Sequence, residues 1–117
     1  MNVVDSSGWL EYFADGPNAG FFAAAVENLD HLLVPSISIL EVFKRILQQR
    51  PEASALQAAA AMRLGRVIDL DTTLALSAAR IGLELRLPLA DGVILATARA
   101  HGATVWTQDR DFKGLDA

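Results

Sequence analysis

The sequence contains no cysteine, which excludes a disulfide framework, a thiolate metal site and a cysteine nucleophile. It has no apolar run of membrane-spanning length, and its first residues lack the basic stretch and long apolar core of a signal peptide. It also lacks a polar low-complexity tract that would indicate a linker or a disordered arm. These absences predict a cytoplasmic protein, without membrane attachment, that is folded throughout.

Basic residues are outnumbered by acidic ones, 10 to 14, which gives a formal net charge of −4. Affinity for nucleic acid normally grows with the number of phosphates that Lys and Arg neutralise, so a nucleic-acid substrate would need a local basic rim. The candidates for such a rim are Lys44, Arg45, Arg63, Arg66, Arg80, Arg99 and Arg110. The two histidines, His31 and His101, have no metal-ligand spacing.

The chain has 117 residues, of which 52% are hydrophobic, so it can bury a core of its own. We expect one domain that spans residues 1–117. Short β-rich or apolar runs at residues 2–5, 31–35, 67–70 and 103–107 alternate with stretches of helical periodicity. Strands that alternate with helices and are buried on both faces predict right-handed crossovers. The predicted fold is a three-layer α/β/α domain with a mostly parallel sheet of four or five strands.

Four carboxylates each follow or begin one of these elements: Asp5, Glu41, Asp91 and Asp109. In an open parallel sheet, ligands collect beside the carboxyl ends of strands, at the point where strand order reverses. Two carboxylates about 4 Å apart repel by roughly 4 kcal/mol at an effective dielectric of 20, so such a cluster would partly protonate or distort unless a cation neutralises it. Because Mg²⁺ prefers hard oxygen ligands, the four acids predict a site that holds a divalent metal against a phosphate.

Each acid also has an ordinary structural interpretation. Asp5 can cap the first helix, for which Ser6 or Ser7 are further candidates, and Asp91 suits the dipole at a helix start. Glu41 lies three residues after Ser38, as in a capping box, and four before Arg45, as in an ion pair. These interpretations account for each acid separately but not for their joint order along the chain.

Four segments resemble the PIN domain family, in particular the short VapC-like toxins of bacterial toxin–antitoxin pairs. They are residues 3–7 (VVDSS), 36–41 (SISILE), 87–98 (LPLADGVILATA) and 107–112 (TQDRDF). The resemblance implies a Mg²⁺- or Mn²⁺-dependent endoribonuclease, the toxin of a type II pair, that hydrolyses RNA phosphodiester bonds. It also implies that the family's metal-binding acids correspond to Asp5, Glu41, Asp91 and Asp109, with Asp111 as an accessory ligand.

Three further residues are predicted to contact the substrate. Ser6 and Thr107 can donate hydroxyls to a ligand water or a phosphate oxygen, and Arg110 lies between two acids of the predicted site. The family resemblance further implies a homodimer and a cognate antitoxin protein. An exposed edge of the aromatic first helix, with Trp9, Tyr12 and Phe13, would form part of the antitoxin groove.

Two alternatives remain open from the sequence. A receiver-like or haloacid-dehalogenase-like domain also handles phosphate, but a receiver needs an acidic pair after strand one and a late lysine. Here those places hold Asp5-Ser6-Ser7 and Thr107-Gln108. The second alternative is a PIN-like binding module without catalysis, which would keep the fold but not the metal.

Overall fold

Four short strands form one sheet in the computed structural model, which describes residues 1–109. The strands are β1 (Asn2–Val4), β2 (Leu32–Pro35), β3 (Arg66–Ile68) and β4 (Thr104–Trp106). All three pairings between neighbouring strands are parallel. The predicted α/β class and the mostly parallel sheet are therefore confirmed, whereas a fifth strand after β4 would begin outside the described residues.

Six α-helices connect and cover these strands in residues 1–109: α1 (Ser6–Phe13), α2 (Ala19–Val26), α3 (Ser36–Leu47), α4 (Glu52–Met62), α5 (Thr72–Leu85) and α6 (Leu89–Ala100). A short 3₁₀ helix, Leu29–His31, leads into β2. None of these helices is both long and apolar enough to cross a membrane.

The strand order is β3-β2-β1-β4. Strand β2 pairs with one side of β1, and β3 pairs with the outer side of β2. Strand β4 then pairs with the other side of β1. The order therefore reverses between β1 and β4, and this is the edge where open α/β sheets bind ligands. In a flavodoxin-like receiver the first strand lies between the second and third strands, so this topology differs from a receiver.

Two apolar layers cover the two faces of the sheet. Because successive side chains of a strand point to opposite faces, Val4 packs with Trp9 and Phe22 while Val3 packs with Ile94. The first layer is made by α1, α2, α4 and part of α3, and the second by α5 and α6. The result is the predicted three-layer α/β/α arrangement.

Local hydrogen bonds define the starts of α1 and α2. Asp5 caps α1, since its extended backbone lets its carboxylate accept the Gly8 N–H, and the two serines considered as caps lie within the helix. Helix α2 begins at Ala19, whose N–H closes a turn onto the Gly16 carbonyl.

Candidate active site

Asp5 follows β1 at the reversal of strand order and is almost fully buried, with 2% of its surface exposed. Its Oδ1 accepts the Gly8 backbone N–H at 2.9 Å, and the Ser7 hydroxyl donates to Oδ1 and Oδ2 at 2.9 and 3.0 Å. The Thr107 hydroxyl donates to Oδ2 at 2.6 Å. The carboxylate is thus held on both oxygens before any ligand binds.

Burial raises the pKa of the Asp5 carboxyl above its ordinary value of 3.8, because a charged group loses its hydration there. The hydrogen bonds from Thr107, Gly8 and Ser7 act in the opposite direction, since they stabilise the ionised form. The negative charge of Asp109 raises the pKa further. A nearby cation would offset both the desolvation cost and this repulsion, because an opposite charge favours the ionised carboxylate.

Thr107 connects Asp5 to Asp109. It directly follows β4, the strand that pairs with β1 in parallel, so its side chain lies beside the end of β1. Its hydroxyl oxygen donates to Asp5 and accepts the Asp109 backbone N–H at 2.8 Å. The same hydroxyl therefore fixes both the Asp5 carboxylate and the backbone that carries Asp109.

Glu41 is joined to this group through α1. The Ser6 hydroxyl, one residue after Asp5, donates to Glu41 Oε1 at 2.5 Å. The proposed capping box is wrong, because α3 begins at Ser36 and Ser38 lies buried inside it. The Ser38 hydroxyl has no hydrogen-bond partner within residues 1–109. Arg45 bonds the Gln48 side chain at 3.4 Å and, in the described residues, forms no ion pair with Glu41.

Asp91 lies half-buried in the first turn of α6. Helix α6 leads through Gly102, at a φ of 61°, into β4, so the helix runs against the strand direction. Its first turn therefore lies at the sheet edge where the strands end, the edge that also carries Asp5 and Thr107. This placement of Asp91 follows from the order of the elements, and its role as a site residue stays a prediction.

Hydrogen bonds thus connect Asp5 with the segment that carries Asp109, and a further hydrogen bond joins its chain neighbour Ser6 to Glu41. Within residues 1–109, no three acidic or histidine side chains form a group ready to hold a metal ion. Asp111 and Arg110, predicted as accessory ligand and substrate contact, lie outside the described residues. Ser6 and Thr107 use their hydroxyl protons on Glu41 and Asp5, and their contact with substrate stays a prediction.

Beside the acids, a cleft of about 710 Å³ lies between α1, α3 and α4. We call it the α1–α3–α4 cleft, and its lining includes Ser7, Phe13, Arg45, Arg50, Gln57 and Gln108. The sequence predictions missed Ser7 and Gln108 as site residues. Their only sequence signal is their position next to Ser6 and between Thr107 and Asp109, within two of the segments that resemble the PIN domain.

Comparisons with known proteins agree with this architecture. Two similar solved structures are a toxin–antitoxin complex from Klebsiella pneumoniae and VapC20 from Mycobacterium tuberculosis, described as a Sarcin-Ricin loop cleaving toxin. Both have a TM-score of 0.79 and 20% sequence identity, and the match covers 98% and 96% of this chain and 92% of each structure's chain. VapBC2 from Rickettsia felis, bound to a promoter DNA fragment, has a TM-score of 0.71 at 17% identity, with 96% of this chain and 90% of that chain covered.

No curated protein sequence matches the chain. At these identities the structural similarity shows the fold alone. This fold, like the strand order, differs from that of a receiver-like domain. The family model described as PIN domain matches residues 3–117, which is almost the entire sequence. The chain therefore belongs to the PIN domain family.

Proposed function

We propose that this protein is a Mg²⁺- or Mn²⁺-dependent endoribonuclease and the toxin of a type II toxin–antitoxin pair. The observation that carries the proposal is Asp5, a carboxylate with 2% exposure at the reversal of strand order. It accepts a hydrogen bond from Thr107, which also holds the backbone of Asp109, and the next residue, Ser6, donates to Glu41. PIN domain membership and structural neighbours described as toxins support it.

The residues present fit a hard divalent cation by their chemistry. Every side-chain atom of the site that could bind a metal is a carboxylate or hydroxyl oxygen, the kind of ligand that Mg²⁺ and Mn²⁺ prefer. The sequence has no cysteine thiolate. Mg²⁺ usually takes only one or two carboxylates directly and keeps several waters. Asp5 and Asp109, close enough to repel each other, would supply these ligands, while Glu41 and Asp91 would orient the waters.

A divalent cation bound here would polarise the scissile phosphate and lower the pKa of a bound water. Asp5 needs no reorientation to bind, since Gly8, Ser7 and Thr107 already hold its two oxygens. Glu41 is partly exposed and oriented by Ser6, so it is placed to accept the proton of an attacking water. In-line attack of that water on the phosphorus would form a new P–O bond while the P–O3′ bond breaks. The ribose 3′ oxygen would take a proton from solvent water and leave as a hydroxyl, and the other fragment would carry a 5′-phosphate.

The test is cleavage of total RNA by the purified protein with Mg²⁺ or Mn²⁺, and with EDTA. Asp5→Asn and Asp91→Asn should each reduce the rate by about 100-fold or more, because each removes a charge that the site needs. Asp30→Asn is the matched control, since Asp30 is exposed in the 3₁₀ helix. Circular dichroism should show the same folded spectrum for all four proteins.

Unchanged cutting by either site variant would reject the assignment of that acid. Absence of cutting by the wild type with both metals would favour a PIN-like binding module without catalysis. The observation that favours this second candidate is that residues 1–109 contain no pre-assembled group of three acids. The two candidates therefore make opposite predictions in the same assay.

An antitoxin protein and a second copy of the chain are the proposed partners. The toxin–antitoxin complexes among the structural neighbours support the antitoxin. Trp9 is fully buried, so only Tyr12 and Phe13 of the aromatic first helix keep partial exposure for an antitoxin groove.

Exposed leucines on α5 support the homodimer. Leu76 and Leu83 lie seven residues apart on one face of α5, with 54% and 84% of their surfaces exposed. Leu83→Lys should shift the chain toward monomer in light scattering coupled to size exclusion, whereas Leu56→Lys on α4 should not. Equal masses for the wild type and Leu83→Lys would contradict this dimer face.

A further inference from the structure

We infer that the α1–α3–α4 cleft is the path of single-stranded RNA next to the scissile phosphate, with Arg45 and Arg50 as contacts to the RNA backbone. This inference rests on the proposed nuclease function and extends it from the acids to the substrate path. It selects two arginines, one of them outside the rim that the sequence suggested.

The cleft is continuous with the acidic site. Ser7, which lines the cleft, donates its hydroxyl to Asp5. Gln108 lines it as well and lies between Thr107 and Asp109 in the chain. A strand of RNA with its scissile phosphate at Asp5 therefore meets this cleft directly on one side.

The polar side chains along α3 follow a regular spacing that leads away from the acids. Glu41 and Arg45 lie four residues apart on one face of α3, and Gln49 follows at the same spacing in the turn after the helix. Each step of four residues advances about 6 Å along an α-helix. This step is comparable with the separation of consecutive phosphates in an extended single strand. Arg45 therefore lies about one phosphate spacing away from Glu41.

The charge of the cleft fits a polyanion. Arg45 and Arg50 are both exposed, and within residues 1–109 neither forms an ion pair. Glu11, an acid in the cleft lining, already accepts the Asn18 backbone N–H at 2.7 Å. Because the whole chain carries a net charge of −4, attraction of RNA has to come from a local basic surface such as this one.

The dimensions and the remaining lining favour a flexible single strand. A volume of about 710 Å³ lies within the usual range of small-ligand sites, so the cleft suits a short extended segment rather than a folded RNA. Gln49 and Gln57 add neutral amides that can bond base edges or ribose hydroxyls, and Phe13 adds a partly exposed ring. Backbone charge would give most of the affinity, with little dependence on sequence.

The experiment is fluorescence anisotropy of a labelled oligouridine titrated with protein in EDTA, where a metal-dependent nuclease cannot cut. The double variant Arg45→Ala/Arg50→Ala should weaken binding about tenfold relative to the wild type at low salt. Its plot of log affinity against log salt should be less steep, by about 0.7 in slope for each phosphate that the variant no longer neutralises. Arg80→Ala, an exposed arginine on α5 outside the cleft, should retain wild-type affinity and is the matched charge control.

Equal affinities for the wild type and the double variant, or an equal loss in Arg80→Ala, would overturn the RNA path. A wild type that binds no oligouridine would also overturn it and would favour a protein segment as the occupant. Failure of the nuclease proposal has a different signature, namely arginine-dependent binding without cutting in Mg²⁺ or Mn²⁺. Cutting with unchanged binding in the double variant would reject the path and leave the nuclease intact.

Discussion

Replacement of Thr107 by valine tests the connection on which the site geometry depends. Valine keeps the branched shape of threonine but removes the oxygen that bonds Asp5 Oδ2 at 2.6 Å and the Asp109 N–H at 2.8 Å. A hydrogen bond to a charged group contributes about 1.5–3 kcal/mol and a neutral one about 0.5–1.5 kcal/mol. Since Thr107 is only half-buried and Ser7 still donates to Asp5, we expect a loss of about 2 kcal/mol in the free energy of unfolding.

This loss corresponds to a decrease in Tm of roughly 8 °C for a chain of this length. The hydrogen bond from Thr107 stabilises the ionised form of Asp5, so the loss should be largest near neutral pH and should shrink as the pH falls. Urea denaturation followed by circular dichroism measures it, with Thr107→Ser as the control that keeps the hydroxyl. Equal stability of the valine and serine variants at neutral pH would refute the bridging role.

Two further predictions concern residues at the start of α1. Gly8→Ala should lower the free energy of unfolding by about 1–3 kcal/mol, since a Cβ there would come within 2.6 Å of Phe22 and 2.8 Å of Val4. Gly20→Ala in α2, where a Cβ meets nothing within 4 Å, should instead stabilise the protein by about 0.5–1 kcal/mol. Equal changes in thermal stability for Gly8→Ala and Gly20→Ala would contradict the close packing around Gly8. Because burial raises the pKa of Asp5, its contribution to stability without metal is present at low pH and is lost as the pH rises through the raised pKa. Asp5→Asn should therefore become more stable relative to the wild type as the pH rises from about 4 to 7, measured by urea midpoints. A relative loss of stability over the same pH range would contradict the raised pKa of Asp5.

Elements with local signals could be predicted from the sequence. The apolar runs that form β1 and β2, and the Asp5 cap of α1, depend on side chains within a few residues of each other. The alternation of these elements predicted the parallel sheet and the edge at which the acids lie. Asp5, Asp91 and Asp109 could be singled out because each lies next to the start or end of such an element, whereas Glu41 lies inside α3.

Features that depend on pairing between distant segments could not be predicted in this way. The role of Thr107 requires β4 to lie beside β1, and its bond to Asp5 joins residues 102 positions apart. Ser38 carries a valid local capping signature, but the helix already begins at Ser36, so the serine is buried inside it. The proposed role of Arg50 depends on the α1–α3–α4 cleft, which is lined by segments that are distant in the sequence.

The most direct test of the account is a titration of the purified protein with Mn²⁺, followed by the loss of the electron paramagnetic resonance signal of the free ion. The account predicts saturable binding by the wild type and by Asp30→Asn, and an affinity at least about tenfold lower for Asp5→Asn. A folded wild-type protein that leaves the Mn²⁺ signal unchanged, or Asp5→Asn with undiminished affinity, would contradict the claim that these acids form a divalent-cation site.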